Sequence, residues 1–226
     1  MIAVAIDGPA GAGKSTLSRR LAASLGYIYV DTGAMYRAVG LKLLKNGLNC
    51  DTLEESEVGE ILKTTKVDIS YEDGVQVVKL DGENVNDFIR TPEVSMMASK
   101  SSALPVVRAY LLEMQRSLAR ENSVVMDGRD IATVVLPNAE VKIFLTASVE
   151  ARSKRRYDEL ILKGEKVTLE EVTADVIKRD YNDTNRPIAP LKPSETSVIV
   201  DTTELNFEES LEALKQTVKN VLEGAN

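Results

Sequence analysis

Gly8-Pro9-Ala10-Gly11-Ala12-Gly13-Lys14-Ser15 matches the pattern G-x-x-x-x-G-K-[ST] in full. The residues on either side decide the fold. Before it, Ile2 to Ile6 is a continuous apolar run, the pattern of a parallel strand buried on both faces. After it, Leu17, Leu21 and Leu25 recur at helical spacing up to Gly26, a natural stop. A strand, a glycine-rich turn and a helix in that order build a loop whose main-chain N–H groups point inward at phosphate oxygens. The helix N-terminus adds its partial positive charge. Gly8, Pro9, Ala10, Gly11, Ala12, Gly13, Lys14, Ser15 and the adjacent Thr16 are therefore candidate nucleotide-binding residues. Lys14 can reach the β- and γ-phosphates of a nucleoside triphosphate, and the Ser15 hydroxyl is the candidate Mg²⁺ ligand.

Outward from this loop the chain alternates. Tyr27 to Val30 reads as a strand and Ala34 to Lys45 as a helix. Thr52-Leu53-Glu54-Glu55 has the capping-box pattern and predicts another helix start. The texture then changes. Val67 to Tyr71, Val75 to Leu80 and Glu83 to Val85 read as three short strands separated by Asp73-Gly74 and Asp81-Gly82, favoured hairpin pairs. Thr91-Pro92 opens a helix, Leu104 to Glu121 is mostly helical, and Ser123 to Met126 and Val141 to Leu145 are buried strands. Ser148 begins a basic helix that breaks at Gly164. Thr168-Leu169-Glu170-Glu171 is a second capping box, opening a helix to about Asp183. Ser197 to Val200 is the last strand, and Phe207, Leu211, Leu214, Val218 and Val221 mark an amphipathic C-terminal helix. The pattern predicts an α/β fold: a P-loop parallel sheet flanked by helices, with a small inserted antiparallel sheet.

Composition narrows the chemistry. The chain has 226 residues and a formal charge of −7, which argues against a surface that embraces nucleic acid. No apolar stretch approaches the roughly 20 residues needed to span a bilayer. Met1 to Ile6 lacks a basic leader, so it reads as a strand and not a signal peptide. Cys50 is the single cysteine, which fits a reducing compartment. There is no histidine, which excludes Ser-His-Asp and Cys-His hydrolases and imidazole-bound zinc. Phosphoryl transfer suits what remains, because it is catalysed mostly by positioning and charge neutralisation. A GTPase switch would need an N-K-x-D element, which is absent. Asp127-Gly128-Arg129-Asp130 follows a strand as a metal-linked aspartate would, but lacks the glycine of D-x-x-G. A small-molecule kinase fits best.

Several arginines fall where an open α/β sheet places its ligands, beyond the carboxyl ends of the strands. Arg37 lies one short turn after the second strand, in Asp31-Thr-Gly-Ala-Met-Tyr-Arg37. Arg129 lies just past the strand ending at Met126. Either can pair with a surface carboxylate, or both can meet the P-loop cleft and grip an acceptor phosphate bidentately. Arg152, Arg155 and Arg156 share one helical face, read either as a solvated face paired with Glu150 and Glu159 or as a lid over the triphosphate. Arg179, Asp183 and Arg186 also fall at one-face spacing, the pattern of a carboxylate between two guanidiniums. That pattern serves an ion-pair network or a grip on sugar hydroxyls.

Taken together these elements resemble the bacterial cytidylate kinases. The resemblance is carried by Ile6-Asp7 through Thr16, Asp31 to Arg37, Ile89-Arg-Thr-Pro-Glu-Val94, Asp127 to Asp130 with Thr133-Val-Val135, Val141 to Leu145, and Asn185-Arg186 through Leu191. These elements come in the family's order and span nearly the whole chain. The P-loop is generic; the others are far more specific.

The resemblance implies ATP-dependent phosphorylation of CMP or dCMP with Mg²⁺. Kinases for UMP or AMP, and a nucleotide-binding switch without turnover, are the alternatives. It assigns Arg37, Arg129 and Arg186 to the acceptor phosphate, Ser99, Arg108 and Asp130 to cytosine, and Arg179 and Asp183 to the sugar. Arg152, Arg155 and Arg156 approach the transferring phosphate. Thr32 stands where some members have serine, with its hydroxyl kept. Ser15 stands where many nucleoside monophosphate kinases have glycine, which leaves Ser15 and Thr16 as alternative neighbours of the metal. The implied division is a core of residues 1–30, 122–147 and 184–226, a monophosphate-binding region of 31–121 with its insertion at 66–86, and a lid with adjoining helix at 148–183. A cytoplasmic monomer acting on small molecules, with no nucleic-acid or membrane partner, is expected.

Overall fold

The computed structural model describes residues 1–224. The chain runs β1 (Ala3–Asp7), α1 (Lys14–Leu25), β2 (Ile28–Asp31), α2 (Thr32–Lys45) and α3 (Glu55–Lys63). The insertion follows as β3 (Val67–Glu72), β4 (Val75–Leu80) and β5 (Glu83–Asn84), then α4 (Pro92–Ser101) and α5 (Pro105–Glu121). The chain returns through β6 (Val124–Gly128), a single π-helical turn (Ile131–Val135) and β7 (Val141–Thr146). It ends with α6 (Val149–Leu162), α7 (Leu169–Asn185), β8 (Val198–Asp201) and α8 (Phe207–Gly224).

The main sheet has the order β2-β6-β1-β7-β8, and every pairing is parallel. Successive β1 side chains point to opposite faces, so Ala5 joins one apolar core while Val4 and Ile6 join the other. That two-sided burial is why β1 is apolar without alternation. One face packs on α2, α3 and α5 through residues such as Met35, Val39, Val58 and Leu111. The other packs on α1 and α8 through Leu17, Leu21, Leu214 and Val218. α2 also lies close against α4. A Cβ on Gly40 would stand 3.0 Å from the backbone nitrogen of Ala98, so any side chain there would push the two helices apart by a few tenths of an ångström.

The chain leaves β1 toward β2 on one side and returns through β6 to β7 and β8 on the other. The carboxyl end of β1 is therefore the switch point at which such sheets bind ligands. The antiparallel β3-β4-β5 sheet forms as expected. Asp73 and Asp81 take positive φ of 49° and 52°, each followed by a glycine that does the same, as tight hairpins require. Val67, Val78 and Leu80 tie it to the main core, and Gln76 ties it to β2. Among the described residues, no helix is long and apolar enough to cross a membrane.

Three helix starts are capped as the sequence predicts. Thr91, Ser148 and Thr168 accept the N–H groups of Val94, Ala151 and Glu171, and Thr168 and Glu171 complete a capping box. The other predicted box does not form. α3 starts at Glu55 with Glu54 before it and no side-chain cap. The Glu55 carboxylate instead accepts the N–H of Val106 in the first turn of α5, 3.1 Å away. That donor has no partner within its own helix, and satisfying it draws Glu55 away from Thr52.

Candidate active site

The P-loop joins β1 to α1 with Gly11 and Gly13 at φ 75° and 80°. A Cβ on Gly8 would lie 2.0 Å from the carbonyl oxygen of Leu145 in β7, so the loop can seat against the sheet only with glycine there. Lys14 is buried and donates from Nζ to the carbonyl oxygen of Pro9 at 2.7 Å. Burial, and then the nearby Arg129, lower its ammonium to a pKa of about 7. The Asp127, Asp183 and Asp7 carboxylates offset part of that lowering, and a bound phosphate would offset more of it.

Ser15 donates its hydroxyl to Asp127 Oδ2 at 2.9 Å, and Tyr29 donates to Oδ1 at 2.8 Å. Asp127 is buried at the carboxyl end of β6. Burial, and then the Asp31 carboxylate, raise it to about 6. A hydroxyl and a buried carboxylate beside a P-loop are the hard oxygen donors that suit Mg²⁺, and a cation there would relieve the Asp127 charge. The two residues fit the ion. Thr16 is exposed on the outer side of the first α1 turn.

A second cluster beside the P-loop is built from side chains that converge from distant elements. Asp31 ends β2 and caps α2 by accepting the Ala34 N–H at 2.8 Å. The same carboxylate takes Arg37 and Arg90, each at 3.1 Å. The Gln76 side chain clasps the Asp31 backbone, accepting its N–H at 2.8 Å and donating to its carbonyl at 3.2 Å. The insertion thus fixes the end of β2. Thr32 is buried and donates to the carbonyl of Asp127 at 2.7 Å, linking α2 to β6. Asp130 is buried between Arg108 and Arg186, the latter at 3.2 Å. The Arg108 guanidinium also lies 5.9 Å from the Tyr36 ring centre. Asp31 and Asp130 therefore face four guanidiniums: Arg37, Arg90, Arg108 and Arg186. This excess of positive charge, inside a chain of net charge −7, is complementary to a polyanion.

The one-face reading of Arg179, Asp183 and Arg186 does not hold. α7 ends at Asn185, and Arg186 has extended backbone and turns back to Asp130 and the Ala189 carbonyl. Asp183 pairs with Arg129 Nε at 2.7 Å, and Arg179 pairs with Asp175 at 3.0 Å. Ser99 borders a shallow crevice between α4 and α7 with Arg179 and Asn182 on its other wall.

The solvated-face reading of the α6 arginines fails for two of the three. Arg152 is buried under the P-loop, donating to the carbonyls of Ala10 (3.0 Å) and Ala147 (2.8 Å) and pairing with Asp180 at 2.7 Å. Arg155 is held by the Thr202 and Leu205 carbonyls after β8. Arg156 alone makes the expected half-exposed pair, with Glu159 at 2.7 Å.

This geometry joins a phosphate loop to an anion-complementary side-chain pocket. The family model for cytidylate kinase matches residues 4–220. The chain belongs to the cytidylate kinase family. It is 52% identical over 221 residues to a cytidylate kinase from Caldicellulosiruptor bescii, covering 98% of this chain and 97% of that protein. It is 50% identical to one from Carboxydothermus hydrogenoformans, over 95% of this chain and 96% of the other. The fold also resembles the crystal structure of an uncharacterised protein from Eubacterium ventriosum, with TM-score 0.51, 13% identity and 98% of each chain covered. Membership of the cytidylate kinase family bears out the enzyme class read from the sequence, a phosphotransferase.

Sequence reasoning gave no role to Asp7, Tyr29, Asp31, Gln76, Arg90 or Asp180. For the first and third a signal existed: a carboxylate closing an apolar strand is seldom idle, since an unpartnered buried charge is costly. Gln76, Arg90 and Asp180 carry no such local signal.

Proposed function

We propose that the chain transfers the γ-phosphoryl group of ATP to CMP or dCMP, giving ADP and CDP or dCDP. The observation that carries this reading is the buried Asp130 carboxylate, flanked by Arg108 and Arg186 beyond the strand ends that also present the P-loop. Cytosine presents an N4 amino donor beside N3 and O2 acceptors. Asp130 accepts from N4, and Arg108 and Ser99 donate to the ring edge. Uracil would set its C4 carbonyl against the same carboxylate, leaving buried acceptors unpaired, which discriminates strongly.

Arg37, Arg129 and Arg186 receive the acceptor phosphate. In the ligand-free protein each holds a carboxylate or carbonyl that the phosphate replaces. Arg179 and Asp183 face the sugar hydroxyls. Lys14 and the P-loop amides from Gly8 to Thr16 hold the donor phosphates. Ser15 and Asp127 would hold Mg²⁺, which when bound would supply charge neutralisation at the phosphate oxygens. The acceptor phosphate is already an anionic nucleophile, so in-line transfer needs no general base and no phosphoenzyme. The protein contributes alignment of two polyanions and screening of their repulsion. Closure of the 31–121 region and the 148–183 lid on the remaining core keeps water from the γ-phosphate. Arg152 braces the P-loop in that closure, Arg155 ties α6 to the segment after β8, and Arg156 travels with the lid.

ADP release measured with CMP, dCMP, UMP and AMP as acceptors tests the reading. Turnover should be strongest with CMP or dCMP. Strong turnover with AMP and none with CMP or dCMP would overturn the acceptor, and nucleotide binding without acceptor-dependent turnover would indicate a switch.

A further inference from the structure

Asp7 closes β1 one residue before the P-loop, close enough to Lys14 to feel its charge, yet its hydrogen bonds go to another segment. It is 1% exposed. Its Oδ1 accepts the N–H of Ile131 and its Oδ2 that of Ala132, both at 2.8 Å. Those are the opening N–H groups of the π-helical turn, which have no partner within the turn.

An aspartate standing just before a helical turn ordinarily folds back to cap it. Asp130 occupies that position, at φ −147° and ψ 28°, and makes no such cap. Its carboxylate instead lies between Arg108 and Arg186. The far end of the turn is also held from outside. Arg116 donates from Nε to the Val135 carbonyl and from a terminal nitrogen to that of Val134, each at 3.0 Å. Between these clamps, the N–H groups of Val134 and Val135 both reach the Asp130 carbonyl, at 2.9 and 3.2 Å.

We propose that Asp7 is a positioning residue for the acceptor base. By capping the turn in place of Asp130, it releases the Asp130 carboxylate to face the acceptor and fixes it relative to the first strand and the P-loop. The inference rests on the reading of Asp130 as the cytosine partner. Arg116, gripping the other end of the same turn, shares the task from a surface remote from the P-loop.

The test is steady-state kinetics of the full chain with ATP and with CMP or UMP, for Asp7→Asn, Arg116→Met and Asp130→Asn. Asp7→Asn keeps shape and one acceptor oxygen but can turn an amide donor toward a backbone N–H. KM for CMP should rise about tenfold or more while KM for ATP stays within about twofold, and the CMP-over-UMP ratio of kcat/KM should fall by a similar factor. Arg116→Met should shift both quantities in the same direction by less. If Asp130→Asn collapses the ratio but Asp7→Asn and Arg116→Met leave it intact, Asp7 is not a positioning residue and the Asp130 reading stands. If Asp130→Asn leaves the ratio unchanged, the base assignment fails and the inference fails with it. Equal loss toward ATP and CMP in Asp7→Asn, or a lower Tm alone, also overturns the inference. Should Asp7→Asn not fold, an unchanged ratio in Arg116→Met decides against it.

Discussion

The two halves of the cleft recognise phosphate in opposite ways. On the donor side, the anion site is one continuous stretch, Gly8 to Ser15, shaped by glycine backbone and braced from below by Leu145 and Arg152. On the acceptor side, the side chains are gathered from separate elements of the fold. Asp31 and Arg37 come from β2 and α2, Arg90 from just before α4, Arg108 from α5, Asp130 from just past β6, and Arg186 from beyond α7. A main-chain site binds any triphosphate, because backbone amides carry no identity. A side-chain site can distinguish one base from another, at the cost of needing the whole fold to assemble it.

Mutations should therefore split by half. Lys14→Met should reduce kcat by about 10³-fold, because it removes the main cation from the transferring phosphoryl group. CMP binding, followed by calorimetry, should change little. Arg37→Ala should lower kcat/KM for CMP by about 10- to 100-fold, the worth of a charge-assisted hydrogen bond, with KM for ATP nearly unchanged. Equal losses toward both substrates would dissolve the distinction between the halves.

pH sharpens it from the donor side. Asp127 is held near 6 by burial and then by Asp31, so it gains a proton below that pH and loses its hold on a cation. kcat/KM for Mg-ATP should fall about tenfold per unit below about pH 6, while the Kd for CMP follows no such limb. The same shift reverses the usual acid response of stability. The folded protein holds this proton more tightly than the unfolded chain, whose carboxyl titrates near 3.8. Its burial cost is present above about pH 6 and vanishes as pH falls toward 4. In metal-free calorimetry, Asp127→Asn should raise Tm at pH 7.5 and lose that advantage by pH 4.

The smallest expected effect lies where the inserted sheet clasps the end of β2. Gln76→Leu removes two hydrogen bonds to the Asp31 backbone. It should cost about 1–3 kcal/mol of stability by urea denaturation and raise KM for CMP a few-fold, with KM for ATP unmoved.

This contrast also explains what could be read in advance. The parallel sheet, the P-loop, the inserted hairpins and three of the four predicted caps are local patterns, and residues close in sequence determined them. The failed cap at Thr52 shows the limit, because the partner of Glu55 is Val106, some 50 residues away. Asp183 failed the same way. Helical periodicity offered it Arg179 and Arg186, but the end of α7 at Asn185 and the approach of Arg129 from just past β6 gave it another partner. Arg152 was legible as cationic and helical, but not as buried, because its cover is the P-loop itself. The roles proposed for the acceptor-side arginines rest on family resemblance, since tertiary convergence leaves no periodic trace.

The central claim is that the acceptor is read by side chains independently of the donor loop. Its most direct test is calorimetric titration of wild type and Asp130→Ala, separately with CMP and with a non-hydrolysable ATP analogue in Mg²⁺. The account expects the Kd for CMP to rise by about 30-fold or more and that for the analogue to stay within about twofold. Parallel weakening of both ligands, or CMP binding untouched by the loss of Asp130, would contradict it.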